Sequence, residues 1–296
     1  MIKRRSAKLG VQLLLACLRV SSKFPYGVQM SLGRLAGRFV FHFARKRRAI
    51  AARNLELCFP EMTIAERQKL LRAHFCSLGR GLFESGLAYW ASDERLRDLA
   101  RIGGMDNLQA ALARGHGVIL IAGHFTSMEL AGRLLALVVD FDVVFRPFSN
   151  PEINSIVYAG RRRGVGKAIP KKSFRQVIKG LKANRAILIT VDQATTARNK
   201  VMVPFFAVPA PTSINVAQIA QKTAAAVLPL LWLRKPDLSG YRIEIGTPLT
   251  GFPSGDALTD ASRINTLIEE QVRQAPEQYY WIHRRFKAEP SPYDGK

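Results

Sequence analysis

Cysteine is scarce in this chain, with only Cys17, Cys58 and Cys76 among 296 residues. No two of them are spaced as a Cys-x2-Cys zinc ligand pair, and three scattered cysteines cannot form a disulfide framework. This pattern is typical of buried or membrane-side thiols in a reducing compartment. The sequence therefore predicts neither a metal site nor a disulfide-stabilised fold.

Acidic residues are absent from two long segments. Residues 1–55 contain 13 lysines and arginines, and residues 153–191 contain 10, without any aspartate or glutamate. These two basic segments account for the entire net charge of +23, because the rest of the chain has 22 basic and 22 acidic residues. A neutral body with two basic segments predicts anionic partners that bind at defined surfaces.

A long apolar run is also missing. No uncharged stretch of the amino-terminal segment is longer than the ten residues 9–18, whereas a spanning helix needs about 20. Lys3, Arg4 and Arg5 precede this stretch as in a secretory signal, but no small-residue cleavage site follows. The composition therefore favours neither a spanning helix nor a cleaved signal.

Farther along the same segment, apolar residues recur at spacings of three and four: Leu32, Leu35, Phe39 and Phe43. Arginines lie between them, and a helix of this type lies in a membrane interface, where each basic residue contributes about 1 kcal/mol of attraction to anionic headgroups. We predict that residues 1–55 form a basic, amphipathic, α-helical membrane-anchoring segment. The alternative is a core helix with a solvated basic face.

Apolar runs alternate with helical patterns through the rest of the chain. We predict strands at 118–122, 142–145, 186–191, 226–233 and 241–245, and helices at 63–90, 128–138, 174–183, 214–223 and 262–274. The helix at 63 opens with a capping box, and Pro229 is expected at a bulge or a sheet edge. This alternation predicts one α/β domain over residues 56–296, with a central, mostly parallel sheet flanked by helices.

His124 follows the first of these strands, and Glu129 lies five positions later in the first turn of the next helix. A histidine held by a carboxylate keeps the tautomer of a base that can take a proton from an alcohol. However, Thr126-x-x-Glu129 is itself a capping box, and a glutamate near a helix amino terminus needs no catalytic explanation. Spacing alone leaves both interpretations open.

Two more polar residues close neighbouring strands. Arg146 follows the second strand and Asp192 follows the third, so both are expected at the same sheet edge as His124. An arginine there can hold a phosphate or a developing oxyanion, and Asp192 can orient donors, although either residue could instead form a structural ion pair. The basic stretch 161–185 contains Phe174 as its only aromatic residue, which argues against a single-stranded nucleic-acid platform.

With these residues in view, the chain resembles, almost from end to end, the late acyltransferases of lipid A biosynthesis, the lauroyl/myristoyl transferase family. His124-x4-Glu129 matches the spacing of this family, where glycerolipid acyltransferases usually have His-x4-Asp. Phe145 and Val191 depart from the Tyr and Pro common in the family, and the amino-terminal apolar run is shorter than usual. The other matching stretches are Arg53-Asn54-Leu55, Cys58-Phe59-Pro60-Glu61, Phe145-Arg146-Pro147, Asp192-Gln193, Pro204-Phe205-Phe206, Val208-Pro209, Ala275-Pro276-Glu277-Gln278-Tyr279 and Trp281-Ile282-His283-Arg284-Arg285-Phe286.

The resemblance implies an inner-membrane enzyme on the cytoplasmic face, without cofactor or metal. It implies transfer of a fatty acyl chain from acyl carrier protein to a 3-hydroxyl on an acyl chain of a lipid A precursor. Both the acidic carrier protein and the phosphorylated precursor suit the basic segments, and the sequence leaves open which segment binds which. The alternatives are an acyltransferase with a phospholipid or aminolipid acceptor, and a non-catalytic protein that binds nucleic acid or membrane.

The resemblance also implies roles for the site residues. His124 would remove the hydroxyl proton, Glu129 would stabilise the imidazolium, and Arg146 would bind a phosphate or the oxyanion. Asp192 would support the site through Arg163 or Arg175, which are further candidates for substrate binding. No nucleic-acid partner is expected on this interpretation.

Overall fold

The computed structural model describes residues 2–148, 150–194, 199–287 and 291–293, and for residues 2–9 it describes the backbone alone. These described residues form eleven α-helices and nine strands. The helices are α1 (Ile2–Ser21), α2 (Tyr26–Phe43), α3 (Arg45–Cys58), α4 (Ile64–Trp90), α5 (Asp93–Leu96), α6 (Met105–Leu112), α7 (Met128–Leu135), α8 (Pro151–Arg162), α9 (Phe174–Lys182), α10 (Asn215–Thr223) and α11 (Ala257–Gln274). The strands are β1 (Ala100–Gly103), β2 (Val118–Ala122), β3 (Phe141–Phe145), β4 (Ala168–Pro170), β5 (Ala186–Thr190), β6 (Lys200–Phe205), β7 (Val208–Ser213), β8 (Ala226–Arg234) and β9 (Tyr241–Ile245).

Seven strands form one sheet in the order β1-β9-β8-β2-β5-β3-β4, in which only the β8–β9 pair is antiparallel. Every residue of β2 is buried, as expected for a central parallel strand covered on both faces. One face packs against α4, α6 and α7, and the other packs against α9 and α10, while α11 contributes residues to both clusters. The predicted α/β domain with a mostly parallel sheet is confirmed.

All five predicted strands and all five predicted helices of the body are present, with ends shifted by a few residues. The elements that the sequence analysis did not predict are α5, α6, α8, β1, β4 and the β6–β7 hairpin. The predicted capping box forms, because the Thr63 hydroxyl accepts from the Glu66 N–H and the Glu66 carboxylate accepts from the Thr63 N–H.

Pro229 was expected at a bulge or a sheet edge; it lies in the interior of the sheet, so the edge alternative is wrong. Residues 226–229 of β8 pair with β2, and residues 230–234 pair with β9 on the other side. Pro229 is the last residue of the first ladder and directly precedes the second. Since a proline cannot donate to a ladder, it is tolerated where the strand changes partner.

The amino-terminal helices pack on α4 through glycines. A Cβ atom added to Gly33 would lie 2.6 Å from the Arg80 Cα, and one added to Gly37 would lie 2.1 Å from the Phe75 carbonyl oxygen. On the other helix, a Cβ at Gly79 would lie 2.1 Å from the Gly33 carbonyl oxygen. The backbones of α2 and α4 can approach this closely only because these positions lack side chains.

The opposite side of α2 exposes the apolar residues that the sequence analysis singled out. Leu35, Phe39 and Phe43 are 63%, 64% and 70% exposed. Within the described ranges, no helix has the length and apolar character needed to cross a membrane. The predicted boundary between residues 55 and 56 falls within α3, whose Leu55 and Cys58 belong to the core of the α/β domain.

Candidate active site

The loop between β2 and α7 carries His124 and is held by the segment that follows α11. The Thr126 N–H donates to the Gln278 carbonyl oxygen at 2.8 Å, and the Tyr280 N–H donates to the His124 carbonyl oxygen at 2.9 Å. Phe125 and Tyr279 form an antiparallel bridge between these two bonds. Two chain segments more than 140 residues apart in sequence therefore fix the backbone at His124.

Thr126 contacts α4 and does not cap α7. Its hydroxyl is 2.7 Å from the Ser77 hydroxyl, and its carbonyl oxygen would lie 2.3 Å from a Cβ atom at Gly81. The cap position of α7 is Ser127, whose side chain makes no capping hydrogen bond. The capping-box interpretation of Thr126 and Glu129 is therefore wrong.

A buried ion pair between Arg234 and Glu84 holds Ser77, the residue that Thr126 contacts. The Arg234 guanidinium donates to the Glu84 carboxylate, with one Nη2–Oε2 distance of 2.8 Å, and to the Ser77 hydroxyl at 3.1 Å. Tyr241 donates its hydroxyl to the same carboxylate. Burial alone would lower the pKa of Arg234, but the Glu84 carboxylate raises it above its ordinary value. Both charges are thus compensated in the core, as buried charges must be.

His124 is bound by Asp192. The imidazole Nδ1 is 2.5 Å from Asp192 Oδ1, and the His124 backbone N–H donates to Asp192 Oδ2 at 2.9 Å. The contact follows from strand order: β2 and β5 are neighbours in register, with Ala122 beside Thr190, so the residues after each strand meet. The structure therefore corrects the expected pairing of His124 with Glu129, because the neighbouring strand brings a carboxylate to Nδ1.

The protonation of this pair is fixed by its surroundings. Burial alone would raise the pKa of Asp192, but the charge and hydrogen bonds of His124, together with a bond from the Tyr279 hydroxyl, lower it to about 2. A carboxylate accepts hydrogen bonds only, so the proton of the neutral imidazole is on Nδ1. This tautomer leaves Nε2 as the basic nitrogen for a substrate.

Glu129 binds Arg161 of α8. The Arg161 Nε donates to one carboxylate oxygen at 3.2 Å, and Nη2 donates to the other. Burial alone would raise the pKa of Glu129, but Arg161, the Tyr89 hydroxyl and, more weakly, His124 lower it. Glu129 is therefore an ionised carboxylate. Its oxygens accept hydrogen bonds from the Arg161 guanidinium, and its charge also interacts with His124.

A cavity of about 740 Å³ opens beside both pairs. Charged or titratable groups at its wall include His124, Glu129, Arg146 and Arg161. The remaining wall is largely apolar and extends along both faces of the sheet at the ends of β3 and β5, with Phe141, Val143, Val144, Val165, Phe174, Val177, Leu188, Ile189, Val216, Ile219 and Trp232. Such a cavity suits an aliphatic chain whose reactive end meets the polar groups.

The predicted cationic residues do not all reach the cavity. Arg146 lines it together with Lys171, whose pKa is lowered by burial and by the charge of Arg146. Arg163 donates to the Tyr89 carbonyl oxygen at 2.8 Å, and Arg175 is exposed on α9; neither is among the described residues of the cavity wall. Two cations that repel each other at a cavity edge form a suitable site for an anion.

Three site residues were missed from the sequence as individual residues. Tyr279 and Arg161 were noted only within longer stretches, the carboxy-terminal motif and the second basic segment, and Lys171 only within the latter. The contacts of Arg161 and Tyr279 depend on α8 and on the segment after α11. The helical spacing of Ile153, Ile156 and Val157 is a signal that could have found α8. In the ranges that the structure describes, no group of three or more His, Cys, Asp or Glu side chains is placed to hold a metal ion.

Comparison with known proteins identifies the class of this site. Residues 3–288 match the bacterial lipid A biosynthesis acyltransferase family. The chain is 36% identical to a lipid A biosynthesis palmitoleoyltransferase and 35% identical to a lipid A biosynthesis lauroyltransferase, both of Escherichia coli K12. Each alignment covers 90% of this chain and 88% of the relative.

Among solved structures, the crystal structure of the 1-acyl-sn-glycerophosphate acyltransferase of Thermotoga maritima is similar at a TM-score of 0.38 and 15% identity, covering 86% of this chain and 99% of that one. That similarity is too weak to bear on function. The match over nearly the whole length is decisive, and it favours an enzyme over a non-catalytic binding protein. The chain belongs to the bacterial lipid A biosynthesis acyltransferases and is an acyltransferase.

Proposed function

We propose that this enzyme transfers a fatty acyl chain from an acyl carrier protein thioester to a 3-hydroxyl of a hydroxyacyl chain on a lipid A precursor. The observation that carries the proposal is the His124–Asp192 pair at the wall of an apolar cavity. The pair supplies a base with a fixed tautomer, and the cavity supplies a place for aliphatic chains next to that base.

The chemical steps follow from the tautomer. His124 Nε2 takes the proton of the acceptor hydroxyl, and the resulting oxygen nucleophile attacks the thioester carbonyl carbon. The tetrahedral intermediate then collapses with cleavage of the carbon–sulfur bond, and the imidazolium returns its proton to the leaving thiolate. Asp192 stabilises the imidazolium that exists between these two proton transfers.

Arg161 is the group we assign to the developing oxyanion. A guanidinium has five N–H donors, and its bonds to Glu129 leave others for a substrate oxygen. Glu129 positions this guanidinium at the cavity wall. On this proposal Glu129 acts through Arg161, in place of the direct contact with His124 that the sequence suggested.

Arg146 and Lys171 are the proposed phosphate site. They line the cavity edge, and burial, followed by repulsion from Arg146, lowers the pKa of Lys171. A phosphate of the acceptor would relieve this repulsion and place the acceptor relative to His124.

We further propose that the enzyme acts at the cytoplasmic face of the inner membrane. Exposed apolar residues on α1 and α2, including Leu13, Leu35, Phe39 and Phe43, support insertion into the interface. The basic residues of the same segment would be attracted by anionic headgroups. Attachment through one face of these helices requires no spanning segment.

The proposal is tested by incubating the purified full chain with acyl carrier protein thioesters of several chain lengths and a phosphorylated lipid A precursor. Mass spectrometry should show addition of one acyl group as an ester. His124→Ala should abolish this transfer, whereas the control His116→Ala, an exposed histidine outside the cavity wall, should not. Near-normal transfer by His124→Ala would refute the assignment of the base, and acylation of a phospholipid alone would refute the acceptor.

A further inference from the structure

The helix α9 presents a strongly basic outer face. Val177 and Leu181 are buried against the domain, while Arg175, Lys179 and Lys182 are exposed. Their spacing of four and three residues places the three cations on one side of the helix. Lys172, just before the helix, is also exposed. These four residues, Lys172, Arg175, Lys179 and Lys182, are called the α9 basic face.

These cations have no ionic partner among the described residues of the chain, and α9 has no acidic residue in its first turn. Lys179 and Lys182 suit the negative end of the helix dipole, which is an ordinary structural role. Lys172 and Arg175 lie at the positive end, where a cation is unfavourable. Helix stability therefore explains Lys179 and Lys182 but not Lys172 and Arg175, for which an external anion would be a suitable partner.

The α9 basic face adjoins a part of the cavity wall that reaches the protein surface, because Lys171 and Phe174 are exposed and line the cavity. Lys171, Phe174 and Val177 all line the cavity, so the first turn of α9 is part of its wall. Anything bound to the outer side of this helix would lie beside the opening that leads to His124. A partner that must insert a flexible thioester arm into the cavity needs a docking position of this kind.

The chemistry of the α9 basic face favours a protein over a membrane. Interfacial helices insert an apolar face into the lipid, as the exposed side of α2 with Leu35, Phe39 and Phe43 would allow. On α9 the aliphatic residues Val177 and Leu181 are already buried in the domain. Phe174 is 40% exposed but lines the cavity. The rest of the outer surface of α9 is mostly charged and polar, which suits an acidic protein surface.

We infer that the α9 basic face is the docking surface for the acidic carrier protein that delivers the acyl thioester. This inference rests on the proposed function, because the donor is the one proposed there. It assigns the two basic segments of the chain to different partners: the amino-terminal segment to the membrane, and the α9 basic face to the carrier protein.

The test is the double variant Lys172→Glu with Lys179→Glu, which reverses one charge at each end of α9 so that the effects on the helix dipole oppose each other. The matched control is Lys69→Glu with Arg72→Glu, which makes the same charge change at exposed residues of α4 outside the cavity wall. Binding of fluorescently labelled acyl carrier protein to the detergent-solubilised full chain is measured by anisotropy. Turnover is measured with the carrier-protein thioester and with an acyl-pantetheine thioester.

We expect the α9 variant to bind the carrier protein at least about tenfold more weakly at low salt, with the difference shrinking at high salt, and the control to bind as wild type. Turnover with acyl-pantetheine should be unchanged. Equal carrier-protein affinity in wild type and α9 variant would overturn the inference, as would loss of anionic-vesicle binding without loss of carrier-protein binding. A wild-type enzyme that neither binds nor uses the carrier protein would instead refute the proposed donor.

Discussion

Replacement of Asp192 by asparagine tests the central contact of the site. The change preserves the size of the side chain but removes the charge that is 2.5 Å from the His124 imidazole. In addition, the asparagine amide can donate to Nδ1 and so favour the tautomer in which Nε2 carries the proton. The variant should therefore lose both the basicity of Nε2 and the stabilisation of the imidazolium.

The pKa of Asp192 shows how strongly the site stabilises this carboxylate. It is about 2 in the folded protein, compared with about 3.9 for an unperturbed aspartate, a net stabilisation of the carboxylate worth about 3 kcal/mol. This lowering occurs against the effect of burial and is due chiefly to the charge and hydrogen bonds of His124. Removal of the charged partner of the imidazolium, together with the tautomer change, predicts a fall in kcat of at least roughly 100-fold.

The assay is acyl transfer under saturating donor and acceptor, with Asp140→Asn as the control. Asp140 is a mostly exposed carboxylate bound to Arg185, so its replacement makes the same chemical change away from the cavity. Thermal unfolding of both variants would show that the fold is retained. If Asp192→Asn kept a kcat within about fivefold of wild type, the assignment of Asp192 as the partner of His124 would be refuted.

Three further changes have defined expectations. Gly81→Ala would press a Cβ on the Thr126 carbonyl oxygen, and should destabilise the protein by about 1–3 kcal/mol and lower kcat, measured by thermal unfolding and turnover. Phe39→Ser with Phe43→Ser removes exposed apolar surface. The double variant should bind anionic vesicles more weakly by on the order of 2 kcal/mol, measured by co-sedimentation, while its melting temperature is unchanged. Burial lowers the pKa of His74 to about 4, whereas an unfolded histidine titrates near about 6.5. Since only the unfolded chain then takes up this proton, the native state should lose on the order of 3 kcal/mol as the pH falls from about 6.5 to about 4, and His74→Gln should lose less in denaturant titrations.

The sequence predicted which residues meet at the sheet edge better than it predicted their pairing. His124 and Asp192 both follow apolar runs, and that pattern alone brings them to one edge. Their direct contact depends on β2 and β5 being neighbours, and this strand order is set by packing of the whole sheet. The proposed His124–Glu129 pair was local in sequence, whereas Asp192 is more distant in sequence and nearer in space.

The partner of Glu129 was missed for a related reason. Arg161 belongs to α8, whose Asn150 cap and apolar residues Ile153, Ile156 and Val157 at helical spacing were not used as a helix signal. Charge counting found the second basic segment without separating its members. The structure divides that segment into Arg161 at the cavity wall, Arg163 bound to a backbone carbonyl, and Arg175 on an outer helix face. Such a division depends on burial, which charge counting does not report.

The hydrogen bonds between the His124 loop and residues Gln278 and Tyr280 have a consequence for the biosynthesis of the enzyme. Thr126 and Tyr279 are roughly 155 residues apart, so at roughly 5–20 residues per second the ribosome needs on the order of ten to thirty seconds to make one after the other. During that interval α1 and α2 already exist, but the bonds from Gln278 and Tyr280 that fix the loop do not. On the proposed attachment through α1 and α2, a nascent chain can therefore reach the membrane before the hydrogen bonds that hold the His124 loop have formed.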